Sequence, residues 1–190
     1  KRQVYGVDLA PKSMRLTNKR LSLYGLRGCV QEADTEALPF RDNTFDLVYS
    51  WGVIHHTPDT ECAVKEILRV LKPGGQIVIM IYHKYSWAVL KVLIKYGILK
   101  MELLARSFGE ILSRHTETLS QKNPLTKAYT VKEAKKMFKG FSNLSTEVVI
   151  TASDRKYIPS CVLNLLHKRM GWYLVIKGQK PKIQFSGSLP

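Results

Sequence analysis

Short runs of β-branched and aromatic residues alternate along this chain with stretches whose apolar positions recur every three or four residues. The run QVYGVDL at 3–9 predicts a strand. Met14, Leu16, Leu21 and Leu23 predict a helix over 13–24, stopped by Gly25. Strands follow at 29–33 and at 45–51 (FDLVYSW). Ala63, Val64, Ile67, Leu68 and Leu71 predict a helix over 60–71. Lys72-Pro73-Gly74-Gly75 ends it, because proline cannot continue a helix and glycine tolerates positive φ. QIVIMIY at 76–82 is almost wholly apolar, which suits a strand buried on both faces.

The second half continues the alternation. Residues 86–114 read as mostly helical, 116–128 as a loop and 131–138 as a helix. A strand at 144–151, a helix at 159–168 and a last strand at 172–178 (WYLVIKG) complete the pattern. Strands separated by helices predict an α/β fold, with a mostly parallel sheet covered by helices on both faces. The direction of the last strand stays open, since periodicity does not distinguish a parallel from an antiparallel insertion.

A length of 190 residues with 45% apolar content is one ordinary globular domain. Cys29, Cys62 and Cys161 form no CxxC and no even framework, so inert thiols in a reducing, cytoplasmic setting are expected. Residues 1–15 are polar, hold Asp8 and contain no apolar h-region. The most apolar long stretch, 87–104, is interrupted by Lys91, Lys95 and Lys100, and no transmembrane helix is predicted.

Charge divides the chain. Residues 1–83 carry eleven basic and nine acidic side chains, 84–139 carry twelve and four, and 140–190 carry seven and two, for a total of +15. The basic excess therefore sits in the second half. It suits nucleic acid, an anionic membrane surface or an acidic small substrate, and equally a solubilising surface. Lys91 and Lys95 share a face at i, i+4, on a segment that is either a cap over the core or a basic amphipathic helix for a membrane surface.

Open α/β sheets bind ligands beyond the carboxyl ends of their strands. Asp8 ends the first strand, where a carboxylate either accepts from ribose hydroxyls or makes a turn before Pro11. Asp34 follows the second strand, placed to accept an exocyclic amine with Leu38 and Phe40 walling the ring, or to cap a turn. Ser50, Trp51 and Gly52 end the third strand, and Gly52 allows close backbone approach. His55 and His56 are adjacent, which points their rings apart and argues against a shared metal; each is a candidate general base or a packed ring. Tyr82-His83-Lys84-Tyr85-Ser86-Trp87 follows the apolar strand, as a pocket lining or an anchor for the cap.

ADTEALPFRDNTFDLVYSWGVIHH followed by EILRVLKPGGQIVIMIY resembles the class I S-adenosylmethionine-dependent methyltransferases of the type 11 kind. The resemblance covers residues 3 to about 83, through three blocks in family order: an acidic strand end, Asp-x-x-x-Leu-Pro-Phe-x-Asp-x-x-Phe-Asp, and Leu-Lys-Pro-Gly-Gly before an apolar strand. It implies a Rossmann-like sheet with a cofactor-binding part at 1–83, a helical cap for the substrate at 84–140 and the last strands at 141–190. It implies S-adenosyl-L-methionine as cofactor and S-adenosylhomocysteine as product. Asp8 and Leu9 would then meet the ribose, Asp34, Thr35 and Leu38 the adenine, and Ser50, Trp51 and Gly52 the methionine portion. His55, His56 and Tyr82 would stand near the mouth where the acceptor meets the methyl group, and no metal is implied.

The chain departs from that family at one place. The family begins with a strand and a Gly-x-Gly-x-Gly loop that this sequence does not contain. In the family order 3-2-1-4-5-7-6 that strand lies between the second and the fourth, so a break inside the sheet is expected. A fragment of a chain roughly 50 to 70 residues longer, N-terminally truncated within one domain, is the corresponding expectation. The expected function is methyl transfer to a small-molecule, lipid or sugar acceptor. The alternatives are a tRNA methyltransferase, whose wobble-uridine members share the His-His and Leu-Lys-Pro-Gly-Gly blocks, and a non-catalytic scaffold of the same fold.

Overall fold

The computed structural model describes residues 3–116, 125–152 and 169–182. Seven strands are present among them: β1 (Val4–Asp8), β2 (Gly28–Glu32), β3 (Phe45–Trp51), β4 (Leu71–His83), β5 (Ala128–Tyr129), β6 (Ser142–Val149) and β7 (Tyr173–Gln179). The helices are α1 (Pro11–Leu23), α2 (Thr60–Val70), α3 (Trp87–Val92), α4 (Phe108–His115) and α5 (Val131–Met137). The helix expected at 159–168 lies outside the described residues.

The strands form two hydrogen-bonded groups. β1 and β2 pair in parallel, and the second group runs β3-β4-β7-β6 with β5 on the end of β4. β3 and β5 lie parallel to β4, whereas β7 is antiparallel to both β4 and β6. The last strand is thus inserted antiparallel in an otherwise parallel arrangement. The break expected inside the sheet falls between β1 and β3, which are not paired with each other. They meet instead through side chains: Tyr5 lies edge-on to Phe45 at 5.9 Å and to Phe40 at 6.1 Å. These rings gather at the amino ends of β1 and β3. At the other end the turns after β2 and β3 also meet, where Glu36 accepts the Asp59 N–H, so both strand pairs point their carboxyl ends the same way.

The core sits between the five-stranded sheet and α2 with α5. Ile77, Ile79 and Ile81 of β4 and Leu174 and Ile176 of β7 meet Ala63, Val64 and Ile67 of α2, Ala134 of α5 and Phe138 just after it. Burying each large aliphatic side chain stabilises the fold by roughly 1.5–3 kcal/mol. α2 starts where Asp59 accepts a hydrogen bond from the Cys62 N–H at 2.9 Å. At the outer edge of the other group, the Asn18 amide bonds both the N–H and the C=O of Val30, each at 2.8 Å. One side chain thereby does for β2 what a neighbouring strand would do.

Two expectations change. Lys72-Pro73-Gly74-Gly75 is an irregular stretch inside β4 rather than a separate turn, and the pairing jumps from Phe45–Leu71 to Leu47–Gln76. Gly74 has φ +80°, and a Cβ on Gly75 would come within 3.0 Å of the Phe45 carbonyl. The helix expected over 86–114 is broken into α3, a π-turn at Leu93–Ile98, a 3-10 turn at Glu102–Leu104 and α4. Met101 at φ 55° reverses the chain, and Ser107 with Glu110 starts α4 afresh as a capping box.

Candidate functional site

The chemistry-bearing residues gather at the carboxyl ends of β1, β2, β3 and β4. Asp8 and Glu32 are partners in register, so the turns that follow β1 and β2 are neighbours. Asp8 Oδ1 accepts the Ala10 N–H at 2.8 Å, which is the turn role; its other oxygen has no partner among the described residues. Leu9 beside it is exposed. Asp34 behaves likewise, with Oδ1 accepting the Glu36 N–H at 2.9 Å. Both carboxylates therefore keep an acceptor oxygen for a ligand while closing a local turn.

The Asp34 turn is tied to the loop after β3. Glu36 Oε1 accepts the Asp59 N–H at 2.6 Å, and the Cys62 thiol approaches the Glu36 carbonyl at 3.4 Å. Thr35 and Leu38 are half-buried on this turn. The Leu38 N–H donates to Glu66 Oε2 at 2.8 Å, while Arg69 donates to the Leu38 carbonyl at 2.9 Å and to the Phe40 carbonyl at 2.7 Å. Phe40 is not at this end of the sheet. It packs on Phe45 at 4.9 Å, at the strands' amino ends, because the chain must run back there to begin β3.

Ser50 Oγ is buried without a hydrogen-bond partner among the described residues. A buried hydroxyl of that kind costs free energy unless a ligand or water satisfies it. Gly52 has φ +74°, and a Cβ there would meet only the Met80 Cε at 3.4 Å. The backbone beyond β3 is thus open to close approach. Trp51 is partly exposed and stacks on Tyr49 with centroids 5.8 Å apart.

His55, His56 and Tyr82 come together. The His55 and Tyr82 rings are 4.0 Å apart, the two imidazoles 4.2 Å, and His56 stands edge-on to Tyr82 at 5.7 Å. The two histidines have different environments. His55 is fully buried, neither ring nitrogen has a partner among the described residues, and burial and then the neighbouring His56 push its pKa down to about 3. It is a neutral ring and a weak base. His56 Nδ1 lies 2.8 Å from the Leu125 carbonyl. A carbonyl only accepts, so Nδ1 carries the proton and Nε2 is the ring's acceptor. His83 is buried, bonded through Nδ1 to the Gly171 carbonyl at 3.2 Å, and held neutral by burial. It anchors β4 to the chain before β7 rather than facing the site.

Sequence reasoning missed the residues that complete this wall. Trp172 stacks on Tyr82 at 4.0 Å, and Tyr173 lies 6.3 Å from Tyr82 and edge-on to Trp51 at 6.0 Å. Both come from the entry to β7, which reaches the site only because that strand is inserted beside β4. The WY pair opening the last strand was the available signal. The donor set at these strand ends comprises two carboxylates with spare acceptor oxygens, an unpartnered buried hydroxyl, an open glycine and an aromatic wall. It fits a nucleoside with an attached amino-acid chain.

Comparisons with known proteins bear on the fold and the family. Residues 1–79 match the family described as "Methyltransferase domain". The sterol 4-C-methyltransferase of Caenorhabditis elegans is 36% identical over 76 residues, covering 39% of this chain and 23% of that protein. The ubiquinone/menaquinone biosynthesis C-methyltransferase of Shewanella sediminis is 29% identical over 120 residues, covering 62% and 47%. The chain thus spans less than half the length of these curated relatives. Among solved structures, a SAM-dependent methyltransferase of Methanosarcina mazei superposes with TM-score 0.63 at 18% identity, covering 95% of this chain and 82% of that one. Phosphoethanolamine N-methyltransferase 2 of Haemonchus contortus, in complex with S-adenosyl-L-methionine, gives TM-score 0.63 at 19% identity, covering 95% and 44%.

Proposed function

We propose that this chain, a class I S-adenosylmethionine-dependent methyltransferase domain, transfers a methyl group to a small, largely apolar acceptor seated against the aromatic wall. The observation that carries this reading is the assembly of His55, His56, Tyr82 and Trp172 at the same strand ends as Asp8, Asp34 and Ser50. Asp8 and Leu9 take the ribose, Asp34, Thr35 and Leu38 the adenine, and Ser50, Trp51 and Gly52 the methionine portion. S-adenosylmethionine supplies an electrophilic methyl on a sulfonium that is already a good leaving group. The protein aligns the acceptor and keeps water out. Tyr82, packed against His55 and Trp172, is held rigidly in that wall. His56 removes the acceptor's proton through Nε2, since its Nδ1 proton is committed to Leu125.

Relatives named as a sterol 4-C-methyltransferase, a ubiquinone/menaquinone biosynthesis C-methyltransferase and a phosphoethanolamine N-methyltransferase favour a small-molecule acceptor. Calorimetric titration of the protein with S-adenosylhomocysteine tests the reading without knowledge of the acceptor. About micromolar affinity is expected, weakened in Asp8→Asn. A protein that melts cooperatively and binds none of it, also when extended upstream by the family's glycine-rich strand and loop, overturns the enzyme reading in favour of a scaffold.

A further inference from the structure

The cap presents its apolar residues outward. Along α3 and the π-turn, Lys91, Ile94, Lys95, Ile98 and Leu99 are exposed, and they follow one another at i, i+3, i+4, i+7 and i+8. The opposite side, with Val89 and Gly97, is buried against the protein. A helix in a water-soluble surface shows the reverse: polar residues hold the outward stripe. The face continues around the reversal at Met101. Ile98 is 61% exposed, Leu99 74%, Met101 63% and Leu104 77%. The turn is compact, with Leu103 packed over Gly97, Met101 bonded to the Ile98 carbonyl and Leu104 to the Met101 carbonyl. The exposed apolar groups are therefore held on a formed surface and not on a loose end.

Lysines border this face: Lys91 and Lys95 lie in the exposed stripe and Lys100 follows it. Residues 84–116 contain Lys84, Lys91, Lys95, Lys100, Arg106 and Arg114 against two carboxylates, Glu102 and Glu110. Both carboxylates are occupied inside the cap. Glu102 receives Arg106 at 3.1 Å and His115 at 3.0 Å, and Glu110 closes the Ser107 capping box. Lys95 and Lys100 place their ammonium groups 5.0 Å from the Tyr96 ring, which stacks on His115 at 3.6 Å. An aromatic ring flanked by lysines at the border of an apolar surface is suited to the boundary between headgroups and acyl chains.

We infer that this face of the cap docks on an anionic phospholipid surface, with Ile98, Leu99, Met101 and Leu104 entering the acyl boundary and Lys91, Lys95 and Lys100 among the headgroups. Charge complementarity selects this occupant. Apolar aliphatic side chains gain nothing against an RNA backbone, and a ring of lysines would repel a second copy of the same face. The inference does not rest on methyl transfer.

Sedimentation of the protein with vesicles tests it. Binding to phosphatidylcholine vesicles containing phosphatidylserine is expected, with little to phosphatidylcholine alone and a loss as salt is raised. Leu99→Ser with Leu104→Ser lowers partitioning roughly tenfold, and Lys95→Gln with Lys100→Gln roughly thirtyfold. Lys132→Gln with Lys135→Gln, on the exposed face of α5, removes the same charge elsewhere and leaves binding nearly unchanged. All substituted positions are exposed, and an unchanged melting temperature confirms folding. Equal binding to both vesicle types, an unaffected leucine variant or an equal loss in the α5 variant overturns the inference. So does lipid-free self-association that the leucine variant abolishes, or tRNA binding lost in the Lys95/Lys100 variant without vesicle binding.

Discussion

Arg69 and Glu66, one turn apart on α2, are joined at two nitrogens: Nε donates to Oε1 and an outer nitrogen to Oε2, each at 2.7 Å. The pair then reaches across to the loop after β2. Glu66 accepts the Leu38 N–H, and Arg69 donates to the carbonyls of Leu38 and Phe40 and to Asp42. A helix on the core thereby fixes the backbone of the Asp34–Asp42 loop that carries Asp34, Thr35 and Leu38, the residues proposed for the adenine. The Arg69 contact holds the Glu66 carboxyl below its ordinary range and pushes the guanidinium's own pKa up.

Arg69→Leu removes a planar fork that no other side chain reproduces. The group is partly exposed, so solvent offsets much of the Coulomb gain. The loss expected in urea denaturation is about 2 kcal/mol. Arg69→Lys recovers less than half of it, because an ammonium cannot serve Glu66 and two carbonyls together. Affinity for S-adenosylhomocysteine falls in both variants, since the loop loses its clamp. Full recovery by lysine would show that charge alone matters there.

His55 makes stability depend on pH. Its folded pKa is lowered to about 3 from an ordinary 6.5, so between these values the unfolded chain binds a proton that the native ring refuses. Stability is complete above pH 6.5 and is lost as pH falls toward 3, with a slope of roughly 1.4 kcal/mol per pH unit inside the window. Burial lowers His83 in the same direction. His55→Leu, which keeps the site apolar, flattens the acid limb. Chemical denaturation at a series of pH values reads this directly, and an unchanged slope in the variant would remove His55 as its source.

Gly52 tests the opening after β3. Its φ of +74° is strained for any residue with a Cβ, although the space there is nearly free. Gly52→Ala is expected to cost about 1 kcal/mol from backbone strain. A melting-temperature drop with no loss of S-adenosylhomocysteine affinity would mean that the backbone, and not a close approach to ligand, is what requires glycine.

The elements read from periodicity are those whose own residues decide them. FDLVYSW over Phe45–Trp51 and the apolar stripe of α2 carry enough pattern to fix type and extent. The cap was not legible as pieces, because its breaks come from Leu103 resting on Gly97 and from a reversal at Met101, both tertiary facts. The Ser107-x-x-Glu110 box was a local signal for the new start of α4. At the site, Asp8, Asp34, His55, His56 and Tyr82 stand at strand ends that the sequence order already implies. Trp172 and Tyr173 enter only through the insertion of β7 next to β4, a pairing between residues about ninety apart in sequence, for example Tyr82 with Tyr173. Arg69 belongs to the same class, since its partners lie some thirty residues upstream.

The two histidines separate by function under substitution. His56 donates Nδ1–H to Leu125, whereas His55 is buried, without a hydrogen-bond partner among the described residues, and a weak base. For an acceptor whose hydroxyl or carbon must lose a proton, His56→Gln lowers kcat by about 10²–10⁴-fold. It leaves KM and S-adenosylhomocysteine affinity within about twofold, because a half-buried ring at this position carries little of the core. His55→Leu behaves in the opposite way: kcat is retained at neutral pH while acid stability changes. Steady-state kinetics of both variants across pH decide the assignment. If His55→Leu abolished kcat in a folded protein and His56→Gln did not, proton removal would belong to the buried ring, and the Leu125 hydrogen bond would be purely structural.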